Sequence, residues 1–275
     1  MNPAKNSVGF SARSLIKPIL KPVIIRALNL IHCLLPVQSP VPIFVYHSLD
    51  ESGSKISLSP EIFRRQMEFL HCQGYRVYTV SEYTQLIKEG GKITMPSVVL
   101  TFDDGFANFL SEAVPVLRKY GYPATIYIPT GFIGRWSGFT SLVDLPLLSG
   151  NEIRNLAEEG FEIGSHSFNH SNLAGLAPDQ ARNEIERSKE VLEGLTGKEV
   201  KTFCYPRGDY NREVVKLVKE ADYRSAVTLK CGNINSIADI LALYRIAIGP
   251  RDSMDYFRLA LGPLFNLYCR LFKIK

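Results

Sequence analysis

Between residues 42 and 248 the chain alternates short apolar segments with amphipathic ones, and this alternation restricts the fold more than any other feature. The strand candidates are 42–46, 75–80, 97–102, 124–128, 161–165, 201–205, 223–227 and 244–248. They are rich in β-branched and aromatic residues, as in PIFVY and SVVLTF. Helical spacing fits 60–73, 81–89, 109–120, 150–159, 178–194 and 211–221. Ser59 and Pro60 open the first of these, and Gly74, Gly121, Gly160 and Gly197 follow helix ends. Strands that alternate with helices pair in parallel, because a helix carries the chain back across the sheet. Eight such strands in one unit favour a closed α/β barrel over an open sheet. The longest irregular stretch, 129–149, holds Gly131, Gly134, Trp136 and Gly138 and is expected to be a functional loop.

At 275 residues, with 45% hydrophobic and 21% charged side chains, the chain suits one large domain with extensions and excludes a disordered protein. Its charge is unevenly placed. No acidic residue precedes Asp50, whereas Lys5, Arg13, Lys17, Lys21 and Arg26 give that stretch +5. After Asp255, Arg258, Arg270, Lys273 and Lys275 give +4, so residues 50–255 carry −4 against a total of +5. Basic charge at two apolar ends points to a membrane surface and away from nucleic acid. The expected division is an N-terminal extension (1–40), a catalytic domain (41–250) and a C-terminal helix (251–275).

The N-terminal helix is expected from Val23 to Leu35, between Pro22 and Pro36, with Arg26, Asn29, His32 and Cys33 on one narrow face. In the C-terminal run, Arg258, Gly262, Asn266, Arg270 and Lys273 recur at helical spacing among apolar residues. Both ends read as interfacial helices, apolar face down, although helices that merely close the fold would show similar patterns. Interruptions by Lys17, Lys21 and Arg26 argue against a cleaved signal peptide or a spanning helix. Five cysteines without close spacing argue against a disulfide framework and favour a reducing compartment. The expected location is the cytoplasmic membrane face, the alternative being an N-terminal anchor with the domain outside the cell.

Active sites of α/β barrels lie at the C-terminal ends of the strands. There the sequence places His47, the pair Asp103-Asp104 before Gly105, His166 with His170, and Tyr205-Pro206-Arg207. His166 and His170, four apart, would face the same way on a helical turn and could hold one cation, with Asp104 completing a three-ligand set. Asp-Gly is also a frequent turn pair, but a turn alone leaves both carboxylates after an apolar strand unexplained.

TFDDG (101–105) with SHSFNH (165–170) resembles the polysaccharide deacetylases of carbohydrate esterase family 4, which share the NodB-homology domain. VYHSL (45–49), EIERSKEVLE (184–193) and FCYPRGDY (203–210) resemble the subgroup that deacetylates poly-N-acetylglucosamine. The resemblance spans about residues 41–250. It implies a distorted (β/α) barrel with amphipathic helical extensions outside it, and one divalent metal ion, most often Zn2+. Asp104, His166 and His170 would be the ligands and Asp103 the general base. The substrate and oxyanion segment would be Tyr205, Pro206 and Arg207, with Arg207 at the place of the family's oxyanion tyrosine. The chain departs from the family pattern in two further places. Cys204 stands where many members carry an arginine that orients the base, and no histidine follows His170. His47 resembles the subgroup's general acid. Arg245 either orients Asp103 or forms a structural ion pair.

The resulting function is a metal-dependent amide hydrolase that removes N-acetyl, or N-formyl, from an amino sugar in a glycan, free or lipid-linked. A carbohydrate-binding protein on the same barrel is the alternative, but it need not keep Asp103 beside the ligand set. A two-metal nuclease or phosphatase would need more carboxylates.

Overall fold

The computed structural model describes residues 12–34, 40–272 and 274. The elements are α1 (Ala12–Leu34), β1 (Ile43–Tyr46), β2 (Ser48–Leu49), β3 (Ser57–Leu58), α2 (Pro60–Cys72), β4 (Arg76–Tyr78), α3 (Val80–Lys88) and β5 (Ser97–Phe102). They continue with α4 (Val114–Tyr120), β6 (Thr125–Ile128), α5 (Gly150–Glu158), β7 (Glu162–Ser165), α6 (Pro178–Thr196), β8 (Thr202–Cys204), α7 (Arg212–Glu220), β9 (Ser225–Cys231), β10 (Leu243–Ala247), α8 (Met254–Ala260) and α9 (Phe265–Phe272).

Every strand and helix expected between residues 42 and 248 is present. The main sheet runs β1-β10-β9-β8-β7-β6-β5-β4, and β1 also pairs with β5. Seven parallel strands therefore close a barrel, and β4 lies outside it. The register of β5 explains this arrangement. Its residues 97–99 pair with β4, 101–102 pair with β6, and 99–102 pair with β1. β4 and β6 thus share one edge of β5 end to end, and the other edge closes on β1. The sequence expected eight strands in one barrel. The eighth forms an edge because β4 meets only the first half of β5.

Parallel closure sends alternate side chains into the barrel. Ile43, Val99, Tyr127, Cys204, Val227 and Leu243 form an inner cluster, joined by Tyr78 of β4 and by Val80 and Tyr83 of α3. Thr79 caps α3 by accepting from the Glu82 amide, and the Val80 amide donates to Thr125 Oγ1 at 3.0 Å. The larger core lies between the barrel and its helices, where the outward Phe44 stacks on Phe257 of α8 with centroids 4.8 Å apart.

The ends differ from their sequence patterns. α1 begins at Ala12 and runs through Pro18 and Pro22. The two prolines are four apart, so their missing donors fall on one side of the helix. The C-terminal run is two helices and not one, because Gly262 and Pro263 break it after α8. Phe257, Leu259, Phe265 and Tyr268 are buried, so this segment does close the fold. Ile25 and Leu28 pack into the core, and Arg26 and Asn29 meet α8 at the edge of that contact, with the exposed Arg26 Nε 3.2 Å from Asp255 Oδ2 and Asn29 Nδ2 donating to the Asp255 carbonyl at 2.9 Å. Leu20, Val23, Leu30 and Ile31 are left exposed on the other side. The side chains of Arg13, Lys17, His32 and Cys33, together with Lys5, Lys273 and Lys275, lie outside the described residues. Among the described residues no helix is long and apolar enough to cross a membrane.

Gly164 of β7 is the register partner of Tyr127, and a Cβ there would come within 2.5 Å of the Tyr127 ring. Overpacking of this kind costs about 1–3 kcal/mol. Gly164→Ala is therefore expected to lower unfolding stability by that amount in chemical denaturation. An unchanged midpoint would contradict the inner packing.

Candidate active site

Parallel strands place their C-terminal ends at one barrel mouth. His47 follows β1, Asp103 follows β5, His166 follows β7 and Tyr205 follows β8. The ladder continues one step past the strands. The Asp103 amide donates to the Tyr46 carbonyl at 2.9 Å, and the His166 amide to the Ile128 carbonyl at 3.0 Å. These residues are held by the barrel itself. A cavity of about 470 Å³ opens there, lined by His47, Asp103, Asp104, His166, His170 and Arg207. Its wall is completed by Phe139, Thr140, Ser141 and Leu142 of the 129–149 loop, with Ile56 and Leu229. Trp136 of the same loop is exposed and does not line it.

The neighbouring aspartates are held apart by the backbone. Asp104 and Gly105 have φ of 71° and 65°, so the chain turns sharply after Asp103. Glycine is required at 105, since a Cβ would lie 2.8 Å from Ile128 Cδ1. Asp103 continues the inward face of β5 and meets Arg245 of β10. Arg245 Nη1 donates to Oδ1 at 2.7 Å and Nη2 to Oδ2 at 2.6 Å. Both side chains are buried. Arg245 also donates to the Thr228 carbonyl at 2.8 Å and to Thr101 Oγ1 at 3.0 Å. The Cys204 thiol lies 3.4 Å from Asp103 Oδ2 and 3.1 Å from Arg245 Nη2. The small Cys204 side chain leaves room for a guanidinium that arrives from β10. Burial would raise the Asp103 carboxyl, but the charge and hydrogen bonds of Arg245 outweigh it and hold the pKa below the ordinary value.

Asp104 points instead toward the two histidines. Its Oδ1 lies 3.5 Å from His166 Nε2 and 3.4 Å from His170 Nε2, and it accepts no hydrogen bond among the described residues. Burial opposes ionisation here too, but imidazoles that carry a proton on the facing nitrogen outweigh it and push the carboxyl down; a neutral ring bonded through Nδ1 turns a lone pair to it instead. His166 Nδ1 lies 2.8 Å from the Cys204 carbonyl. The ring donates there, which leaves the Nε2 lone pair facing Asp104. Asp104, His166 and His170 each offer a ligand atom, all within 4.8 Å of one another. Donors bonded at about 2.0–2.2 Å to a tetrahedral ion lie roughly 3.4 Å apart, so the spacing and the orphaned carboxylate oxygen both suit a divalent cation. Asp103, His166 and Cys204 also lie within this range, but the bidentate pairing with Arg245 already engages Asp103.

The histidine pair is not on a helical turn. Residues 166–170 form a loop in which Ser167 and His170 have φ of 61° and 54°. Buried Glu184 of α6 holds it, its carboxylate accepting from the Asn169 amide at 2.7 Å and from Asn169 Nδ2 at 2.6 Å. The His166 and His170 rings stand 4.8 Å apart, and Phe139 covers His170 at 4.6 Å. The helix that carries Glu184 was expected from its spacing, but neither Glu184 nor Phe139 carried a sequence signal of its own.

The oxyanion segment divides. Arg207 is exposed on the cavity and unpaired among the described residues, with φ of 58°. Tyr205 is buried, its hydroxyl donating to the Leu241 carbonyl at 2.8 Å and its ring stacked on Tyr210. Pro206 is buried beside it, and neither residue lines the cavity.

This barrel is shared with known proteins. The polysaccharide deacetylase family model matches residues 90–226. YxkH of Bacillus subtilis, named for that family, is 30% identical over 217 residues, covering 79% of this chain and 74% of its own. The chain belongs to the polysaccharide deacetylase family. A poly-β-1,6-N-acetyl-D-glucosamine N-deacetylase of Staphylococcus epidermidis is 29% identical over 210 residues, 72% of this chain and 71% of that one. The Streptococcus pyogenes deacetylase PplD, solved with acetate, superposes with a TM-score of 0.72 at 26% identity, covering 83% of this chain and all of that one. The fold is the NodB-type (β/α) barrel, and the chain is an N-deacetylase of this hydrolase class.

Partners that orient metal ligands typically contribute 10–100-fold to affinity. Glu184→Ala is expected to weaken binding of Zn2+ about that much in a competitive chelator titration. Unchanged affinity would show that the loop holds its shape without Glu184.

Proposed function

We propose that this enzyme is a metal-dependent deacetylase that removes N-acetyl, or N-formyl, from an amino sugar in a glycan, working at a membrane surface on a lipid-linked substrate. The division of the Asp103-Asp104 pair carries the catalytic part of the reading. One carboxylate is fixed by Arg245 and the other faces two imidazoles. Asp104, His166 and His170 would hold one divalent cation, most readily zinc. Bound there, the cation supplies Lewis acidity for the amide carbonyl and for a water molecule.

The chain's own residues do the rest. Asp103, ionised and fixed by both oxygens, takes the proton of the attacking water. Arg245 is a positioning residue that keeps Asp103 in place. The amide N–H of Arg207, paired with no carbonyl among the described residues, donates to the oxyanion. Its exposed guanidinium faces an anionic group of the glycan. His47, on the cavity wall, returns a proton to the leaving amine. Tyr205 and Pro206 set the loop that carries Arg207. The name of the Staphylococcus epidermidis relative, a poly-β-1,6-N-acetyl-D-glucosamine N-deacetylase, supports an N-acetylglucosamine substrate.

The two ends support the membrane reading. The exposed face of α1 carries Leu20, Val23, Leu30 and Ile31, and α9 exposes Leu267 and Leu271. The helices meet where Lys21 Nζ lies 5.4 Å over the Phe272 ring, and Arg270 is exposed on α9. An apolar face fringed by basic groups suits an anionic bilayer interface, where each basic residue contributes about 1 kcal/mol.

Asp103→Asn is expected to keep its metal and lose about 10²–10⁴-fold in acetate release. His47→Ala is expected to lower turnover more than metal content. Near-normal turnover in either would place the base or acid elsewhere. For the membrane part, the full chain is expected to float with phosphatidylglycerol-containing vesicles and to stay with the soluble fraction after Val23→Asp and Leu30→Asp. Flotation unaffected by these changes would exclude the α1 face. Digestion of the barrel from outside intact cells would exclude the cytoplasmic side.

A further inference from the structure

Cys231 ends β9 and Cys269 lies in α9, and their Sγ atoms are 3.5 Å apart although 38 residues separate them in sequence. Neither thiol belongs to the catalytic cavity. Both line a separate cleft of about 490 Å³ with Tyr244, Asn266 and Arg270. Cys231 is partly exposed, so a small reagent can reach the pair from this cleft. We infer that Cys231 and Cys269 form a reversible disulfide site that staples the C-terminal helix to the barrel.

The thiols are suited to this chemistry. The contact between the two Sγ atoms lets one thiol donate to the other's thiolate, so the pair gives up one proton more readily than the second. Whichever thiol of the pair is deprotonated is the first nucleophile. A disulfide oxidant, low-molecular-weight or protein-borne, supplies the electron sink. That thiolate attacks one oxidant sulfur, which forms a mixed disulfide and expels one thiolate. The other cysteine's thiolate then attacks the Sγ of the mixed disulfide and expels the second. One Cys231–Cys269 bond forms, the oxidant's S–S bond breaks, and two protons and two electrons pass to the oxidant, which leaves as two thiols.

Two connections give the bond consequences. Cys231 is the register partner of Arg245, and the Gly232 amide donates to the Arg245 carbonyl at 3.4 Å. At its other end, Cys269 sits between Leu267 and Leu271, which α9 exposes. The bond would tie the outward helix to the strand pair that bears Arg245. It would act on the unfolded chain chiefly by closing the loop between the two residues.

The test uses the full chain, purified reduced and then exposed to glutathione disulfide. Peptide mapping under non-reducing conditions is expected to find one intramolecular link, Cys231 to Cys269, with Cys72 and Cys204 outside it. The oxidised protein is expected to melt roughly 5–15 °C higher than the reduced one. Dithiothreitol is expected to reverse the shift. Cys231→Ser and Cys269→Ser should each abolish the shift, and Cys72→Ser should keep it. The mapping of the unaltered chain stands even where a variant folds poorly. Glutathione adducts on both residues without a link, links that involve Cys33 or Cys72, or a link with no change in melting would each overturn the inference.

Discussion

The site depends on one buried ion pair, Arg245 with Asp103, inside the barrel. Burying two charges costs several kcal/mol each unless geometry and further hydrogen bonds compensate. Here the geometry is bidentate, and Thr228, Thr101 and Cys204 take up further donor capacity. Removing one partner of such a pair typically costs about 3–5 kcal/mol, because the other is left charged and uncompensated. The pair also gives the two adjacent carboxylates separate environments. Without Arg245, Asp103 would be a second buried carboxylate beside Asp104 with no cationic side chain paired to it. With it, one carboxylate has a counter-ion inside the protein and the other faces two imidazoles.

The histidine side of the site rests on strain. Asp104, Ser167, His170 and Arg207 all have left-handed backbone, and each borders the cavity or the loop that forms it. Non-glycine residues in that region cost of order 1 kcal/mol or more and persist only when surrounding contacts fix them. Glu184 fixes the histidine loop, and the Gly131 amide donating to the Phe168 carbonyl at 2.7 Å ties it to the 129–149 loop. The same 129–149 loop supplies Phe139 over His170. The long loop thus has a structural reason for its length, since it must reach back over the barrel mouth.

Sequence made visible whatever depends on local pattern. The strands that close the barrel followed from alternation, and the residues at their ends followed from parallel pairing. What depends on distant pairing was not readable. The contact between Arg245 and Asp103 joins residues 142 apart, so the chain alone left an ion pair and an orienting role open. The HxxxH spacing suggested a helical turn, and the structure forms a loop, because the chain leaves a parallel strand there and Glu184 captures the next amide. Cys231 and Cys269 looked unrelated because only the packing of α9 brings them together. At the N-terminus the polar stripe was readable but its direction was not. Ile25 and Leu28 pack inward while Arg26 and Asn29 meet Asp255 at the edge of that contact, so the apolar residues are divided between the core and solvent.

The most direct measurement is acetate release by Arg245→Lys, with metal content determined on the same sample. Lysine keeps the buried positive charge and loses the two-pronged contact with Asp103. If Arg245 positions the base, the variant holds its full complement of metal and turns over at least about tenfold more slowly. Turnover equal to that of the unaltered enzyme, or a loss that only follows a loss of metal, would contradict that role.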